Sequence, residues 1–581
     1  MLHKFCLFLF GAIMMSLNVN AQNVADFFGT GEGTGISTNP YIITTGDQLD
    51  AIRYGKDKYY ELGGTIDIGA WIAGHADSDI QSNGWIPIPE FQQTLDGNND
   101  DGFKITGLWT SRSGMVGLFK EITREGTVIK DLTIELDVTN GIVGSNDFAG
   151  AIAGRVRANE DNAPVKFINC HVTGNLTGGN ATGGLVGRAQ SPLEIIDCSF
   201  QGNVSGPEQV GGLIGQKYEG RAPLKITNSY VINSNISSAG GKVGGLAGTM
   251  GPNSTVEGCY VSGGTVSGNG SVGGLIGLWG DKSRLGNLKA PSSIKNCFTA
   301  TTVTSTGNNV GGLVGEIRIN QDGDLDPSVA RPFAFDIIQS YSTGSVTATT
   351  NNAVGGLVGG YYNVYECVME SCYTVSAISA NAGIGGLIGE ANECLVGSEG
   401  ITINNSFALN PSFSGAWDTG RLIGKLNAAK TNVNNCYAHD GLSVITDNPD
   451  APATLLTKQQ LGEQTTYSSN GWDFSSTGWD FGNGSYYLPV LQGVSASAQP
   501  TSQTPPHLYL ITSLPNTLND TSGITVNGNT IQVDDVEGIV SVTNMLGVSQ
   551  VYTANGSLSI PVAPGIYIVS INNASYKIAV K

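Results

Sequence analysis

Charged residues are scarce in this chain. They make up 13% of its 581 residues, about half of the share that is usual in globular proteins. The 48 acidic residues outnumber the 29 basic ones and give a formal net charge of -19. This negative charge is spread along the chain, which argues against nucleic acid and anionic membranes as partners. After the first twenty residues, no apolar run is long enough to cross a membrane. The sequence therefore predicts no transmembrane segment and no nucleic-acid partner.

Histidine is scarcer still, with five in the whole chain, and none lies in a His-Glu-x-x-His signature. His171 and His439 each follow a cysteine of a repeated element and are predicted to be structural. No pair of cysteines is spaced as in a zinc site, and the glycine-rich stretches lack the Lys-Ser/Thr of a phosphate-binding loop. The sequence therefore predicts no catalytic, cofactor-binding or metal-binding residue, no cofactor, and a protein that is not an enzyme.

The N-terminal residues have the pattern of a secretory signal. His3 and Lys4 precede an apolar stretch from Phe5 to Leu17, and Val19-Asn20-Ala21 is typical of a cleavage site. The apolar stretch is too short for a membrane-spanning helix. We therefore predict a signal peptide over residues 1–21 and a secreted or cell-surface protein.

Glycine is abundant, with 82 residues, and much of it lies in one recurring motif. The motif is Gly-Gly-Leu-Val-Gly at residues 183–187. Its seven close copies begin at Gly183, Gly211, Gly244, Gly273, Gly311, Gly355 and Gly385. Successive copies start between 28 residues (183 to 211) and 44 residues (311 to 355) apart. A constant motif with spacers of varying length is typical of a stacked repeat protein.

A second element recurs between the glycine motifs and centres on cysteine or serine. It consists of an apolar residue, an Asn or similar residue, a Cys or Ser, and usually an aromatic residue, as in Ile294-Lys295-Asn296-Cys297-Phe298. The position directly after the Asn or similar residue is occupied by six cysteines and three serines: Cys170, Cys198, Cys259, Cys297, Cys372 and Cys436, and Ser229, Ser340 and Ser406. A position that accepts either residue predicts a ladder of small buried side chains, not disulfides. Cys367 and Cys394 fall outside the pattern, and a disulfide between them remains open.

Short apolar segments broken by Gly, Asn and Ser, with no sustained helical period, indicate β-structure. We predict an all-β fold, in which a right-handed parallel β-helix is followed by a small C-terminal β-sandwich. The predicted divisions are an N-terminal cap leading into the solenoid at 22–135, the repeats with a C-terminal cap at 136–492, a linker at 493–506 and the sandwich at 507–581. A short helix is expected near Asp47–Ile52, after a Thr-Thr-Gly-Asp capping sequence.

The glycine motif, the Asn-Cys-Tyr elements and Asn39-Pro40-Tyr41 resemble the GLUG-motif family of bacterial surface and secreted proteins. The resemblance covers about residues 35–492 and implies a repeat scaffold that can carry varied functions. Residues 507–581 resemble the Por sorting domain of type IX secretion cargo from Bacteroidetes. That match rests on Val542–Gly547, on Gly565–Val569 and on the last strand, while Leu514-Pro515-Asn516-Thr517 only approximates the usual Pro-Asn-Pro turn. A related adhesive sandwich with no sorting role is the alternative.

Two acidic stretches have alternating carboxylates that could bind calcium: Asp322, Asp324 and Asp326, and the turn from Asp96 to Asp101. A solvated loop is the alternative for both. No acidic residue is expected to recur at matching repeat positions. Trp472, Trp479, Tyr486 and Tyr487 either close the stack or form a platform for sugar rings.

These observations favour an adhesin-like protein that presents variable loops for binding an extracellular glycan or matrix protein. The predicted binding loops are Glu316 to Pro332 and Gly359 to Glu366. Two alternatives stay open: a polysaccharide-degrading β-helix enzyme, which requires an acidic groove on one sheet face, and a purely structural stalk.

Overall fold

The computed structural model describes residues 22–158, 163–218, 222–281, 291–319, 334–349, 353–392, 394, 399–415, 417–427, 430–444, 451–475, 478–482, 487–500, 505–508, 523–544, 549–571 and 574–580. The predicted signal peptide at 1–21 lies outside these residues. So do the aspartates 322, 324 and 326.

The main body is a parallel β-helix whose coils each contribute strands to three long sheets. We call them face 1, with 13 strands, face 2, with 25 strands, and face 3, with 11 strands. Every strand pairing within the three faces is parallel, and partner strands lie one coil apart in the sequence. The predicted all-β fold with a parallel β-helix is confirmed.

The strands of face 1 carry the apolar residues that precede each Cys/Ser position. They are Tyr41–Ile43, Tyr60–Leu62, Thr94–Asp96, Val128–Lys130, Val165–Ile168, Leu193–Ile196, Leu224–Thr227, Ser254–Glu257, Ser292–Lys295, Ala334–Ile338, Glu366–Glu370, Gly400–Asn404 and Thr431–Asn434.

Face 2 receives two strands from most coils. Its strands are Ile66–Asp67, Ile105–Leu108, Thr110–Val116, Thr133–Leu136, Ile142–Ala149, His171–Thr177, Ala181–Gly183, Ser199–Gly206, Gln209–Gly211, Tyr230–Ser238, Val243–Gly244, Tyr260–Gly268, Val272–Gly273, Phe298–Ser305, Val310–Gly311, Tyr341–Ala348, Val354–Gly355, Tyr373–Thr374, Ala377–Ser379, Ala382–Gly385, Phe407–Ala408, Phe413–Ser414, Trp417–Gly420, Tyr437–His439 and Thr454–Leu456.

Face 3 follows the glycine motif. Its strands are Ile88–Phe91, Phe119–Ile122, Ala153–Val156, Val186–Ala189, Ile214–Lys217, Ala247–Met250, Ile276–Asp281, Val314–Ile319, Val358–Tyr362, Ile388–Ala391 and Ile423–Leu426.

The corner between face 1 and face 2 explains the Asn-Cys pattern. Its first residue has a left-handed backbone, with φ of 54° at Asp197 and 50° at Asn228, a conformation that Asn and Asp tolerate better than other non-glycine residues. The next residue is the Cys or Ser, and it accepts a hydrogen bond from the coil before it: Cys198 N–H donates to Ser229 Oγ at 3.0 Å, and Ser229 N–H donates to Cys259 Sγ at 3.4 Å. All eight described cysteines are free thiols, so the predicted ladder is confirmed.

The Gly-Gly-Leu corner between face 2 and face 3 depends on close backbone packing. A Cβ built on Gly184 would lie 2.1 Å from the carbonyl oxygen of Gly212 in the next coil, and one on Gly212 would lie 2.2 Å from that of Gly245. The leucine that follows, such as Leu213, is fully buried in the interior. Only glycine therefore lets successive coils approach at this corner.

The third corner, between face 3 and face 1, varies in length. It takes three residues at 190–192, ten at 282–291 and fourteen at 320–333. The connection between face 1 and face 2, by contrast, is two residues in each coil from Val128–Lys130 onward, as at 197–198. The irregular spacing of the motif copies therefore arises mostly at one edge of the solenoid.

Helices close the N-terminal end of the stack. Helix α1 is Gly46–Asp50, and its N-cap Thr45 forms a capping box with Gln48. This confirms the predicted short helix. Helices α2 (Ile68–Gly74) and α3 (Ser78–Asn83) follow, each capped by an aspartate. The coils already begin in this region, since Tyr41–Ile43 pairs with Tyr60–Leu62 on face 1.

An aromatic cap covers the C-terminal end of face 2. Rings one coil apart stack in register along this face, at 5.1 Å between Phe298 and Tyr341 and 4.7 Å between Tyr341 and Tyr373. Helices α4 (Lys458–Leu461) and α5 (Gln464–Ser468) lead into Trp472 and Trp479, which are 4% and 0% exposed and pack over this stack. A short antiparallel pair, Trp479–Asp480 with Val490–Leu491, completes the cap.

The segment predicted as a linker, 493–506, packs in part against the cap. Gln499 is 1% exposed, and its side-chain amide bonds the backbone of Leu491 in both directions, at 2.7 and 2.9 Å. Just beyond it, His507 Nε2 lies 2.7 Å from the carbonyl oxygen of Leu409, and Leu508 is fully buried.

The C-terminal unit is an antiparallel sheet with a core of its own. Its strands are Ile524–Asn527, Thr530–Asn544, Ser549–Pro561, Gly565–Ile571 and Ala574–Val580. The first and fourth pair with the two ends of Thr530–Asn544, whose register shifts between Val533 and Val536. Both halves of that strand contribute to one buried cluster, through residues such as Ile531 and Val540.

Candidate functional site

A line of mostly polar side chains runs along face 3, and we call it the face 3 stripe. In the close copies of the motif, its members follow the last glycine directly. In register along the sheet they are Glu90, Glu121, Arg155, Arg188, Gln216, Thr249, Leu278, Glu316, Gly360, Glu390 and Lys425. Four glutamates share this one position. The expectation that no acidic residue recurs at matching positions is therefore wrong.

The N-terminal part of the stripe borders a polar cavity of about 460 Å³. The cavity is lined by Glu90, Gln92, Thr123, Arg157 and Ala158. Beside it, Glu121 forms an ion pair with Arg155 and lies 3.4 Å from Arg157 Nε. Glu121 is thus balanced by arginines and Glu90 forms an ion pair with Lys56, so the carboxylates at this end of face 3 do not form an acidic groove.

The middle of the stripe presents a cation on aromatic rings. The guanidinium carbon of Arg188 lies 3.8 Å from the ring centroid of Tyr218 and 4.8 Å from that of Phe148. Tyr218 belongs to the variable corner and is 37% exposed. Planar cations stacked on aromatic rings are common at recognition surfaces.

The C-terminal part of the stripe holds two nearly buried carboxylates, and we call it the Glu316–Glu390 cluster. The two glutamates are 6% and 7% exposed. Glu316 Oε2 accepts a hydrogen bond from Asn309 Nδ2 at 3.0 Å, and its other oxygen lies 2.5 Å from Arg318 Nε. Glu390 Oε1 accepts from Lys425 Nζ at 2.9 Å. Each carboxylate thus has a cationic partner on its own face.

Tyr362 joins the two glutamates. Its hydroxyl lies 2.7 Å from Asn309 Oδ1 and 2.9 Å from Glu390 Oε2, and its ring lies 4.8 Å from the Arg318 guanidinium carbon. Burial, reinforced by the negative charge of Glu390, raises the pKa of Tyr362. The hydroxyl therefore keeps its proton at neutral pH and can donate it to one of two facing acceptors.

The spacing of these carboxylates bears on the polysaccharide-degrading alternative. Gly360 lies between them in register, so their backbones are about 10 Å apart, given about 4.8 Å between neighbouring strands. Inverting glycosidases keep a water between two carboxyl groups. Here the space is occupied, because a Cβ on Gly360 would lie 2.5 Å from Cε2 of Tyr362. This arrangement is a closed hydrogen-bonded network with its charges paired.

The two predicted binding loops have different outcomes. Glu316 to Ile319 forms the end of a face 3 strand, and residues 320–333 lie outside the described residues. The prediction of a variable loop from Gly359 to Glu366 is wrong. Val358–Tyr362 and Glu366–Glu370 are strands, and the three residues between them form a tight corner that buries Val364.

The other residues singled out in the sequence mostly have structural partners. In the acidic turn, Asp96 forms an ion pair with Lys130, and Asn98 Nδ2 donates to Asp101 Oδ2 at 3.0 Å. Within the described ranges, no group of three or more His, Cys, Asp or Glu side chains could hold a metal ion. Trp472 and Trp479 belong to the cap, whereas Tyr486 lies outside the described residues.

The thiols of Cys367 and Cys394 are both free. Cys367 is fully buried in the solenoid core, and Cys394 lies at the variable corner. His439 has both ring nitrogens engaged, with the carbonyl oxygen of Asn410 at 2.6 Å and with Gly441 N–H at 3.1 Å.

No family model matches the chain. A protein from Evansella cellulosilytica, provisionally named a Gly-rich membrane protein, is 32% identical over 199 residues, covering 29% of this chain and 22% of that protein. Halomucin from Haloquadratum walsbyi is 34% identical over 173 residues, covering 28% of this chain and 2% of halomucin. The chain therefore spans less than a quarter of the length of either relative.

Two solved structures are also similar. One, from Bacteroides ovatus and provisionally named an immunoglobulin A1 protease, covers 81% of this chain and 97% of its own, with 18% identity and a TM-score of 0.30. Another, named IgA1 protease, covers 56% of this chain and 23% of its own, with 15% identity and a TM-score of 0.30. The prediction that this chain is not an enzyme is contradicted by these names and is withdrawn. At these scores the likeness assigns no activity to the chain.

No described helix is long and apolar enough to cross a membrane.

Proposed function

We propose that this chain is a secreted or cell-surface protein whose β-solenoid acts as an adhesin-like surface for extracellular glycans or matrix proteins. One observation carries the proposal: the connections between strands vary in length mostly at one edge of an otherwise constant scaffold. The connection between face 3 and face 1 ranges from two residues at 92–93 to fourteen residues at 320–333. Repeat proteins commonly place such insertions on their binding side.

The face 3 stripe extends this variable edge. It includes glutamate, arginine, glutamine, threonine, leucine, glycine and lysine, although the motif before it hardly changes. A stripe residue precedes the variable corner by only a few positions, as Arg188 does in the coil that turns at 190–192. The half-buried members of the stripe, such as Arg155, Arg188 and Lys425, together with the corner therefore present side chains that differ from coil to coil.

The predicted location supports the same proposal. The N-terminal signal pattern and the resemblance of residues 507–581 to a sorting domain both favour export. The names of the two relatives, a Gly-rich membrane protein and halomucin, are in keeping with a surface role for this chain.

The proposal is tested by incubating residues 22–581 on an array of glycans and matrix proteins, while measuring both retained protein and remaining ligand. We expect retention on a subset of the array. Replacing residues 320–333 by the three-residue corner 363–365 should reduce that retention without unfolding the solenoid, because the fold already accepts a corner of this length. Unchanged retention would exclude this connection, and no retention on any surface would favour the stalk.

A matched pair of variants tests the stripe. Arg188→Gln removes the cation that stacks on Tyr218, and Lys225→Gln removes an exposed cation from face 1. Each variant removes one positive charge. We expect only Arg188→Gln to weaken retention, whereas equal effects would indicate non-specific electrostatic binding.

The sorting role that we propose for residues 507–581 has its own test. Removing residues 509–581 should block surface delivery and leave the solenoid folded, because the C-terminal sheet has a separate core and the truncated chain keeps His507 and Leu508, which pack on the cap. Normal surface display of the truncated chain would reject this role.

A further inference from the structure

Ser199 and His171 are brought together on face 2 by stacking of adjacent coils. They are register partners at the ladder position that is aromatic in most other coils. Ser199 Oγ lies 2.8 Å from His171 Nδ1, and both residues are half-buried. The sequence analysis predicted a structural histidine here. A serine within hydrogen-bonding distance, one coil away, was not visible in the sequence.

The remaining contacts fix the proton positions in this array. The carboxylate of Asp131 can only accept, so it is Asn169 Nδ2 that donates to Asp131 Oδ1, at 2.8 Å. Asn169 Oδ1 therefore faces His171 Nε2, at 2.9 Å, and must accept from it. Nε2 then carries the proton of the neutral ring, Nδ1 is the acceptor, and Ser199 donates to Nδ1.

Burial favours the neutral imidazole. It lowers the pKa of His171, and the nearby carboxylates of Asp131 and Asp197 oppose the shift only in part. At neutral pH the ring is thus a base with a free lone pair on Nδ1. Here the Ser199 hydroxyl donates to this base, and Asn169 orients the base. This is the arrangement of an activated nucleophile.

The next coil supplies an aromatic surface beside Ser199. Tyr230 is the register partner of Ser199, and its ring stacks on Tyr260 at 5.0 Å with 6° between the planes. The aromatic stack ends at Tyr230, because Ser199 stands where a further ring would follow. The ring face of Tyr230 toward Ser199 therefore has no aromatic neighbour from that ladder position, and a flat ligand ring can stack there.

We propose that Ser199, with His171 as its base, is an acyl-accepting nucleophile for ester substrates with a flat aromatic ring. Ser199 Oγ attacks the acyl carbon as its proton passes to His171 Nδ1. The bond from the acyl carbon to the leaving oxygen then breaks, and His171 returns the proton to that oxygen. Water attacks the acyl-serine by the same proton route and releases the acid. Asn169 and Asp131 are positioning residues that stabilise the imidazolium.

The test uses residues 22–581 with p-nitrophenyl acetate and with a fluorophosphonate probe, followed by mass mapping of the modified peptide. We expect both reagents to modify Ser199. His171→Ala should slow modification by about 100-fold or more, since a positioned general base contributes about 10²–10⁴-fold, and Ser199→Ala should abolish it. Ser205 is the matched control, because it lies on the same strand and bonds Thr177 Oγ1 at 3.0 Å without a histidine; Ser205→Ala should keep the full rate.

Two further readouts separate catalysis from a structural role. Tyr230→Ala should raise KM for the aryl ester and leave kcat nearly unchanged. The rate should rise with pH as His171 loses its proton and level off by neutrality, because burial lowers the pKa of His171 below its ordinary value. Asn169→Ala should shift that profile. The proposal is overturned if folded protein is not modified at Ser199, if Ser205 is modified equally, or if His171→Ala keeps the wild-type rate.

Discussion

The corners of this solenoid obey different rules. Where face 1 meets face 2, each coil from Val165–Ile168 onward uses two residues, one in a left-handed conformation and one Cys or Ser that accepts a backbone hydrogen bond. Where face 3 meets face 1, the connection ranges from two residues at 92–93 to fourteen residues at 320–333. Constant corners hold the coils in register, and the variable corner can therefore change without disturbing them.

The largest expected effect comes from lengthening a constant corner. Inserting one glycine after Asn228 should prevent the following coils from folding. Strand side chains alternate with a period of two, so a one-residue shift would turn Val231 and Ile236 from the core to the outside. Circular dichroism and limited proteolysis would detect the loss. A cooperative, wild-type melting curve would show that this corner is not what sets the register.

A smaller loss is expected from removing one acceptor at the same corner. Ser229→Ala leaves the buried N–H of Cys198 without its partner at 3.0 Å and should cost about 1–3 kcal/mol of unfolding free energy. Urea denaturation measures the change. Ser229→Cys is the control and should lie close to wild type, because cysteine occupies this position in six other coils. Equal losses for both variants would mean that side-chain volume, not hydrogen bonding, selects the residue.

Thiol reactivity compares the two corners in the native protein. Burial raises the pKa of Cys372 to about 12 and that of Cys436 to about 11, so both remain protonated and shielded at pH 8. Cys394 lies at the variable corner and is only partly buried; partial burial raises the pKa of its thiol as well, but the charge of Lys430 opposes that shift. Iodoacetamide should therefore modify Cys394 at least about tenfold faster, since thiolate fraction and access control the rate. Mass spectrometry over time gives the ratio, and comparable rates would contradict the burial of the constant corner.

The smallest effect is expected from lengthening the variable corner. Four glycine or serine residues inserted after Gly220, in the connection 218–223, should change stability by less than about 1 kcal/mol, because loop closure costs about 0.6 kcal/mol per doubling of length. Urea denaturation would again report the difference. A loss as large as that of the Asn228 insertion would remove the distinction between the corners.

Much of the fold was predictable because each coil repeats the same local requirements. The Asn-Cys pattern corresponds to a left-handed residue followed by a small acceptor, and the glycine motif corresponds to close backbone contact at Gly184 and Gly212. The capping sequence around Thr45 correctly indicated α1. Helices α2 and α3 were not foreseen, because both are short and depend on packing against the first coils.

The candidate sites were harder to predict. Glu316 and Glu390 each follow a motif copy directly, so their shared position was readable in the sequence. The sequence did not reveal that Tyr362, from the coil between them, joins the two glutamates. The burial of Val364 could not be predicted from the sequence either, since sequence analysis placed this fully buried residue in a loop.

The sequence by itself determined the repeat, the strand pattern and the ladder positions, because these follow from short-range spacing and from the backbone needs of single residues. Only the tertiary structure decided which side chains meet. Ser199 and His171 are 28 residues apart, yet their side chains bond. Glu316 and Tyr362 are 46 residues apart, yet Asn309 joins them in one hydrogen-bonded cluster. Spacers of unequal length hide such partners in the sequence. The hydrogen bonds between coils restore their register, and with it the contacts.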